Sequence, residues 1–523
     1  MKRIVAPTWG DLVAGISVAL VLIPQALAYS GLAGLPPQTG IYASALPVIV
    51  AALLASSPYL QTGPTAATAL LTLGALTALA EPSAPSYVEL AALLAIVVGA
   101  IRLVVGLVRM GAIAYLMSQP VVVAFMAAAG ILIVLSQVPA VLGVVASDAD
   151  PIVAAWEALR DPDAWDPGSI AFAFAGALVV IGGRRLHPLF PGAVITVIGS
   201  IVVSRAIGFE GLTLGAVETA LPVLSLDLPW SDVPGLLIGG LVIALIGFAE
   251  PAAIARHYAT AERKRWDPSR ELVSQGAANI MSGLVGGFPI GGSFSRTALA
   301  KLAGAKTRWN GVIVGIVMLA TIPLLGFMSA LPRATLGAVV ITAVLPLVNL
   351  RPLLEFWRAA RLQFYVAGIT FVATLIAAPH VERGVVIGVL LAAAAHLYRE
   401  VRLSVPTSVE DGTIHVQPRG VLYYASAAAL EETVGDVITQ HPGAQALVFH
   451  LDGLGRVDLT GALTLRRLAE DARAAGMSVT FVDVPPQSSK IAERVLSERV
   501  PVSLLVEDGH AADADRRRRA SQP

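Results

Sequence analysis

From about Asp11 to Arg399 the chain alternates long apolar runs with short polar breaks, and most of the runs have the length of a membrane-spanning helix. About fourteen are predicted, at 11–29, 38–56, 65–80, 88–108, 114–136, 169–183, 190–208, 233–255, 271–287, 294–304, 310–330, 334–349, 363–378 and 382–398. The third and the tenth are the short ones, and each follows a break. One break is Gln61-Thr-Gly-Pro-Thr65; the other runs from Gly283 to Thr297 and holds Gly, Pro, hydroxyls and Arg296. Gly and Pro at such density interrupt a membrane helix, and the freed backbone groups must find protein, water or a ligand. A new helix is expected to start at Ser293 or Ser295. From Phe294 to Ala300 it has far too little apolar length for a hydrocarbon core of about 30 Å, at about 1.5 Å per residue. It reads as a half-helix that begins near the midplane, with its N–H groups and positive dipole end beside Arg296, an arrangement suited to an anion.

After Arg402 the pattern changes. Thr413–Val416, Gly420–Tyr424, Ala446–Leu451 and Ser478–Val482 read as strands. Ala427–Thr439, Leu459–Gly476 and Ser488–Ser497 read as helices. Strands alternating with helices predict a small α/β domain over about 401–510. Residues 511–523, with Arg516 to Arg519, read as a disordered basic tail that forms an ordinary solvated end.

Composition agrees with a polytopic membrane protein: 523 residues, 56% hydrophobic, and no net charge that would favour a nucleic-acid partner. The absence of cysteine excludes disulfides, thiolate chemistry and Cys-based metal or iron–sulfur sites. No histidines have metal-ligand spacing, and no cofactor is expected. Ala303-Gly-Ala-Lys306-Thr307 resembles a phosphate loop only superficially, since the Gly-Lys adjacency is missing, so no ATPase and no other enzyme is read here. The N-terminal apolar run carries Asp11 and leads into Pro24-Gln25, and is read as a first membrane helix rather than a signal peptide.

Loop charges orient the layout. Arg184-Arg185, Arg256 with Arg263-Lys264-Arg265, Lys301 with Lys306 and Arg308, Arg351 with Arg358 and Arg361, and Arg399 with Arg402 fall on one side. Asp148, Asp150, Glu157, Asp161, Asp163 and Asp166, then Glu210, Glu218, Asp227 and Asp232, fall on the other. The basic side is expected to be cytoplasmic, with both termini on it, in a multi-pass plasma (inner) membrane protein. A weak internal repeat adds to this. Ala19–Ala28, with Pro24-Gln25, resembles Ala244–Ala253, with Glu250-Pro251, and the two breaks occupy corresponding places. Each match is seven helices apart, an odd number, so the halves are inverted. Paired interrupted helices in an inverted repeat point to a transporter's central site.

These residues resemble the sulfate permease (SulP) family of anion transporters over nearly the whole chain. The resemblance rests on Pro24-Gln25-Ala-Leu-Ala-Tyr29, Leu35–Tyr42 and Gln61–Thr68. Its most specific parts are Gln275-Gly-Ala-Ala-Asn279, Gly286–Arg296 and Ala303–Thr307. Asp458-Leu-Thr-Gly461 is similar to a loop of the STAS domain, the usual cytoplasmic partner in that family. The resemblance implies fourteen helices in a seven-plus-seven inverted repeat. It implies a mobile core domain (about 10–110 and 233–330), a gate domain (about 111–210 and 331–400) and commonly a homodimer.

It also places Gln25, Tyr29, Thr65, Ala66, Phe294, Ser295 and Arg296 at the anion site. A cation near a helix N-terminus neutralises a substrate that hydrocarbon would reject; the alternative is an Arg paired with Glu250 or reaching the interface. Gln25 and Tyr29 lie four apart on one helix face, and the plainer readings are a helix–helix hydrogen bond and simple packing. Glu250 is the single carboxylate deep in the eighth helix. A proton bound there would couple proton uptake to the anion's. In sodium-coupled members a hydroxyl follows one turn later; here that position is Ile254, which weakens a sodium reading because hard cations need several oxygens. Thr460 stands where STAS-type domains are phosphorylated, but is read first as a helix N-cap. The expected activity is secondary transport of a small anion of the sulfate, bicarbonate or dicarboxylate class, proton-coupled, by an elevator-like movement. A sodium-coupled bicarbonate carrier and an uncoupled anion channel or STAS-linked sensor are the alternatives.

Overall fold

An apolar chain in hydrocarbon must satisfy its backbone polar groups internally, which favours helices. The computed structural model describes residues 6–82, 84–112, 118–146, 148–187, 190–484 and 495, and divides after Ala392 into two compact units. The first half of the membrane unit contains α1 (Trp9–Leu32), α2 (Pro37–Ser44), α3 (Leu46–Leu54), a two-residue strand β1 (Thr62–Gly63), α4 (Ala66–Thr77) and α5 (Pro85–Leu107). There follow α6 (Gln119–Ser136), α7 (Val138–Leu142), α8 (Pro151–Arg160), α9 (Pro167–Leu186) and α10 (Gly192–Ile207). The second half contains α11 (Val233–Ala261), α12 (Pro268–Leu284), β2 (Gly291–Gly292), α13 (Phe294–Leu302) and α14 (Trp309–Thr321). It continues with α15 (Arg333–Val344), α16 (Arg351–Ala359), α17 (Arg361–Ile376) and α18 (Val381–Val401).

Among the described residues nine helical stretches are long and apolar enough to cross a membrane. Ala66–Thr77, Gly192–Ile207 and Arg361–Ile376 are apolar but shorter. With α12 and α13, every predicted segment has its helix. Three helices were not expected: α7, which follows α6 after one residue, α8 and α16. α8 lies in the acidic loop after α7, and α16 lies between α15 and α17. α8 and α16 are short: α8 buries Ala154, Ala155 and Ala158 but leaves Ile152, Trp156 and Leu159 exposed, and α16 buries Leu353 but leaves Leu354 and Trp357 exposed.

One bundle is built from α1–α5 with α11–α14, where α12 packs on α5 and α3, α14 on α1 and α3, and α11 on α5 and α4. The other joins α6–α10 to α15–α17, with α17 on α6 and α9 on α15 and α10. They meet along α1, which lies against α15 and α10. The α5–α12 contact is a backbone approach: a Cβ on Gly99 would lie 2.6 Å from the Ile280 nitrogen and 2.7 Å from the Gly276 oxygen. Small residues permit such closeness where van der Waals packing drives association.

The start of α1 is tied down by a capping box in which Thr8 and Asp11 serve each other's backbone N–H. The other carboxylate oxygen of Asp11 accepts from the backbone nitrogens of Lys306 and Thr307, both at 2.8 Å. The loop that resembles a phosphate loop is thus already bound, through its N–H groups, to the chain's own carboxylate.

In the second unit β3 (Thr407–Glu410), β4 (Thr413–Val416), β6 (Ala446–His450) and β8 (Ser478–Val482) form one sheet in the order β3-β4-β6-β8. The β3–β4 pair is antiparallel and the other two pairings are parallel. β5 (Gly420–Leu422) and β7 (Leu454–Val457) pair separately. Two helices, α19 (Ala427–Gln440) and α20 (Leu459–Ala474), complete the described fold. Leu430, Leu447, Phe449, Leu465 and Phe481 share its core. The strands β3 and β7 were not expected. One expectation is corrected: the N-cap of α20 is Asp458, whose carboxylate accepts from the Gly461 nitrogen at 2.7 Å. Thr460 is exposed inside the first turn. An ionised Asp suits that place, since it also meets the positive end of the helix dipole. The predicted helix at Ser488–Ser497, save Val495, and the basic tail lie outside the described residues.

Candidate functional site

The two breaks meet. β1 pairs antiparallel with β2, Thr62 opposite Gly292 and Gly63 opposite Gly291, and the Ser293 nitrogen donates to the Gln61 carbonyl at 3.0 Å. Each strand leads directly into a short helix, so the N-termini of α4 and α13 converge in the interior of the first bundle. At 12 and 9 residues these helices span only ~18 Å and ~14 Å. Both start on a hydroxyl cap. Thr65 accepts from the Thr68 nitrogen while Thr68 accepts from that of Thr65, and Ser293 accepts from the Arg296 nitrogen. In the first turns the N–H groups of Ala66, Ala67 and Ser295 find no acceptor among the described residues. Such orphan donors at converging N-termini are the makings of an anion site.

The crossing is held from behind by side chains on α12 and α14. Gln275 donates to the Thr62 hydroxyl at 2.6 Å. Asn279 donates to the Ile290 carbonyl at 3.1 Å and accepts from the Ile290 nitrogen at 2.9 Å. Gln61 bonds the Asn310 amide oxygen, and its backbone nitrogen donates to the Thr297 hydroxyl. These amides supply in protein what water would otherwise supply to a broken helix.

Arg296 is 1% exposed. Its Nη1 donates to the Gln25 side-chain oxygen at 3.1 Å, and its Nε and Nη2 have no partner. Nη2 lies 3.5 Å from where a Cβ on Gly63 would be. A buried guanidinium with two idle donors between two helix N-termini is expensive unless a ligand answers it. Among the described residues no ion pair joins Arg296 to Glu250. Glu250 accepts instead from the Phe294 nitrogen at 3.3 Å, at the first residue of α13. Gln25 and Glu250 are the residues that the internal repeat equates, and each lies beside an interior proline, Pro24 in α1 and Pro251 in α11. Both therefore stand where a helix has lost one backbone bond.

A cavity of about 350 Å3 opens beside this crossing between α1 and α13 on one side and α9, α10 and α15 on the other. Gln25 and Ser295 line it, as do Ser17, Thr342 and Arg184. Tyr29, Thr65, Ala66 and Arg296 are buried behind that lining. Tyr29 is within electrostatic range of Arg296, Glu250 and Arg184. Phe294 is 52% exposed, with its ring 6.5 Å from that of His257. A second cavity, also about 350 Å3, lies further along α1, lined by Leu27, Ala28 and Gly31 with Gln137, Arg333 and Leu336. The two cavities are separated where α1 lies against α15.

One buried cation escaped sequence reasoning. Arg102 on α5 is also 1% exposed and donates to three backbone carbonyls, Ala244 at 3.1 Å and Ile243 and Ile290 at 2.9 Å each. Its position inside a predicted membrane segment was the available signal.

A family model described as the sulfate permease family matches residues 8–370, and one described as the STAS domain matches residues 404–505. A probable sulfate transporter of Mycobacterium tuberculosis is 31% identical over 499 residues, 90% of this chain and 88% of its own length. A sodium-independent sulfate anion transporter of Bos taurus is 27% identical over 511 residues, 90% of this chain and 83% of its own. In structure, the chain is similar to the murine solute carrier 26 family member A9 anion transporter in its inward-facing state. That similarity has a TM-score of 0.86 at 19% identity, over 94% of this chain and 88% of the other.

Proposed function

The chain belongs to the sulfate permease family and is a sulfate-type anion transporter with a STAS domain, not an enzyme; on that premise we propose that it is a secondary carrier whose anion sits between the tips of α4 and α13. The observation that carries this reading is Arg296, buried with Nε and Nη2 unpartnered beside idle first-turn N–H groups. Gln25 orients the guanidinium, and Tyr29, one turn further along α1, closes the same face. Thr65 and Ala66 present the tip of α4, and Phe294 and Ser295 the tip of α13.

Glu250 is the coupling group, binding a proton that crosses with the anion. Its acceptor bond to the Phe294 nitrogen supports this, because it ties the carboxyl to the helix tip that the anion occupies. Ile254, buried one turn later, offers no oxygen to a sodium ion. The first bundle, carrying the site, moves as the core domain against the second as a gate, and the contact of α1 with α15 between the two cavities is the barrier. The basic loops support a cytoplasmic side for both termini, which we assign to a plasma (inner) membrane protein. A homodimer follows from the family resemblance, and Thr460, exposed near the start of α20, is available for phosphorylation.

Reconstitution of the full chain in liposomes tests the reading. Labelled sulfate uptake should saturate, accelerate when the outer solution is made acid, and ignore a sodium gradient. Unsaturated flux that follows voltage alone would make the protein a channel, and sodium-driven accumulation would make it a sodium-coupled carrier.

A further inference from the structure

Arg102 is bound entirely by backbone. Its Nη1 takes the carbonyl of Ile290, the residue before β2, while Nε and Nη2 take those of Ala244 and Ile243, about two turns before Glu250 on α11. Among the described residues no carboxylate lies within ion-pair distance of it. Carbonyl dipoles take one hydrogen from each of its three nitrogens, but they leave the unit charge in place, inside a bundle where burial makes a charge costly. The charge is also fixed in position. It sits against Ile290, a buried residue joined through β2 to the start of α13. A Cβ on Gly247 would lie 2.5 Å from its Nη2, so α11 leaves room for it beside the crossing.

Building on the anion site placed between those tips, we propose that Arg102 is a specificity-determining residue that biases this site toward dianions. The work of bringing an anion near a fixed cation scales with the anion's charge. Removing Arg102 should therefore weaken a dianion by the square of the factor lost by a monoanion. A residue that only stapled α11 to β2 would weaken both by the same factor. Because the cation is buried, added salt should leave its contribution nearly intact, unlike that of a surface charge.

The test compares half-saturation for labelled sulfate with inhibition by the most effective monoanion among chloride, nitrate and bicarbonate. Both are measured on the full chain in liposomes at low and at high ionic strength. Arg102→Gln should raise the sulfate constant on the order of twentyfold and the monoanion constant about four- to fivefold, with the same ratio at both salt concentrations. Arg102→Lys, which keeps the charge and three donors, should hold both constants within about threefold. Val98→Glu places a carboxylate one turn before Arg102 on α5 and neutralises the charge without removing its bonds. It should reproduce the glutamine pattern, and serves if Arg102→Gln does not fold. Equal fold-changes for the two anions, or unchanged constants in either neutralised variant that folds, would overturn the role of Arg102 and leave the carrier reading standing. A wild type that takes up no anion would overturn the carrier reading itself, and the inference with it.

Discussion

Replacing Arg296 by alanine should abolish sulfate uptake, a loss on the order of a hundredfold or more, as when preorganised donors facing a charge are removed. The guanidinium is 1% exposed and gives one bond to Gln25, while its other buried nitrogens face no protein acceptor. Without it no charged donor touches the anion: the site keeps partial charges from two helix ends, each worth about half an elementary charge, and the Arg102 charge behind the crossing, which gives the anion no hydrogen bond. That is too little to draw an anion out of water. The fold should survive, because Ser293 caps α13 through the backbone nitrogen of residue 296, which the substitution leaves in place. Lysine should rescue only partly, since a point charge cannot make the forked contact. Uptake by a folded Arg296→Ala variant at the wild-type rate would remove Arg296 from the site.

Glu250→Gln should separate binding from drive. Glutamine keeps the oxygen that accepts from the Phe294 nitrogen and so preserves the contact with the start of α13. It cannot release or bind the proton. Sulfate should still bind, with half-saturation changed by no more than about threefold, and exchange across the membrane should continue. Accumulation driven by an acid outer solution should disappear. The comparison to make is uptake with and without a pH gradient at clamped voltage, in wild type and variant. A response to pH that persists in Glu250→Gln would assign the proton to another group.

Much of this was legible in the sequence, for reasons that differ between elements. Bilayer thickness sets a minimum apolar length, so the long helices show in hydropathy alone. Gly and Pro concentrate where a helix breaks, so the starts of α4 and α13 were visible at Thr65 and Ser293. A hydropathy window of membrane length does not resolve helices of 5 to 10 residues, and α7, α8 and α16 were missed for that reason. The strands β3 and β7 are four residues each, and β3 is fully exposed, so no buried alternation marks it. Thr460 reads as the cap of α20 because it precedes an apolar run, but the helix begins at Leu459, two residues before a Thr460 cap would start it, and Asp458 takes the role. The bond from Arg296 to Gln25 joins residues 271 apart in sequence, and no local pattern reports it. Arg102 shows the same limit. Its three acceptors are backbone carbonyls, which every residue carries, so nothing in the side chains of α11 announced them.

The most direct measurement is an anomalous-scattering map from crystals of the full chain soaked in selenate, a heavy analogue of sulfate. The expected result is one selenium peak between the first turns of α4 and α13, within hydrogen-bonding reach of the Arg296 guanidinium and lost in Arg296→Ala. A peak confined to the cavity walls near Arg184 or Arg333, with the space between the two helix tips empty, would contradict it.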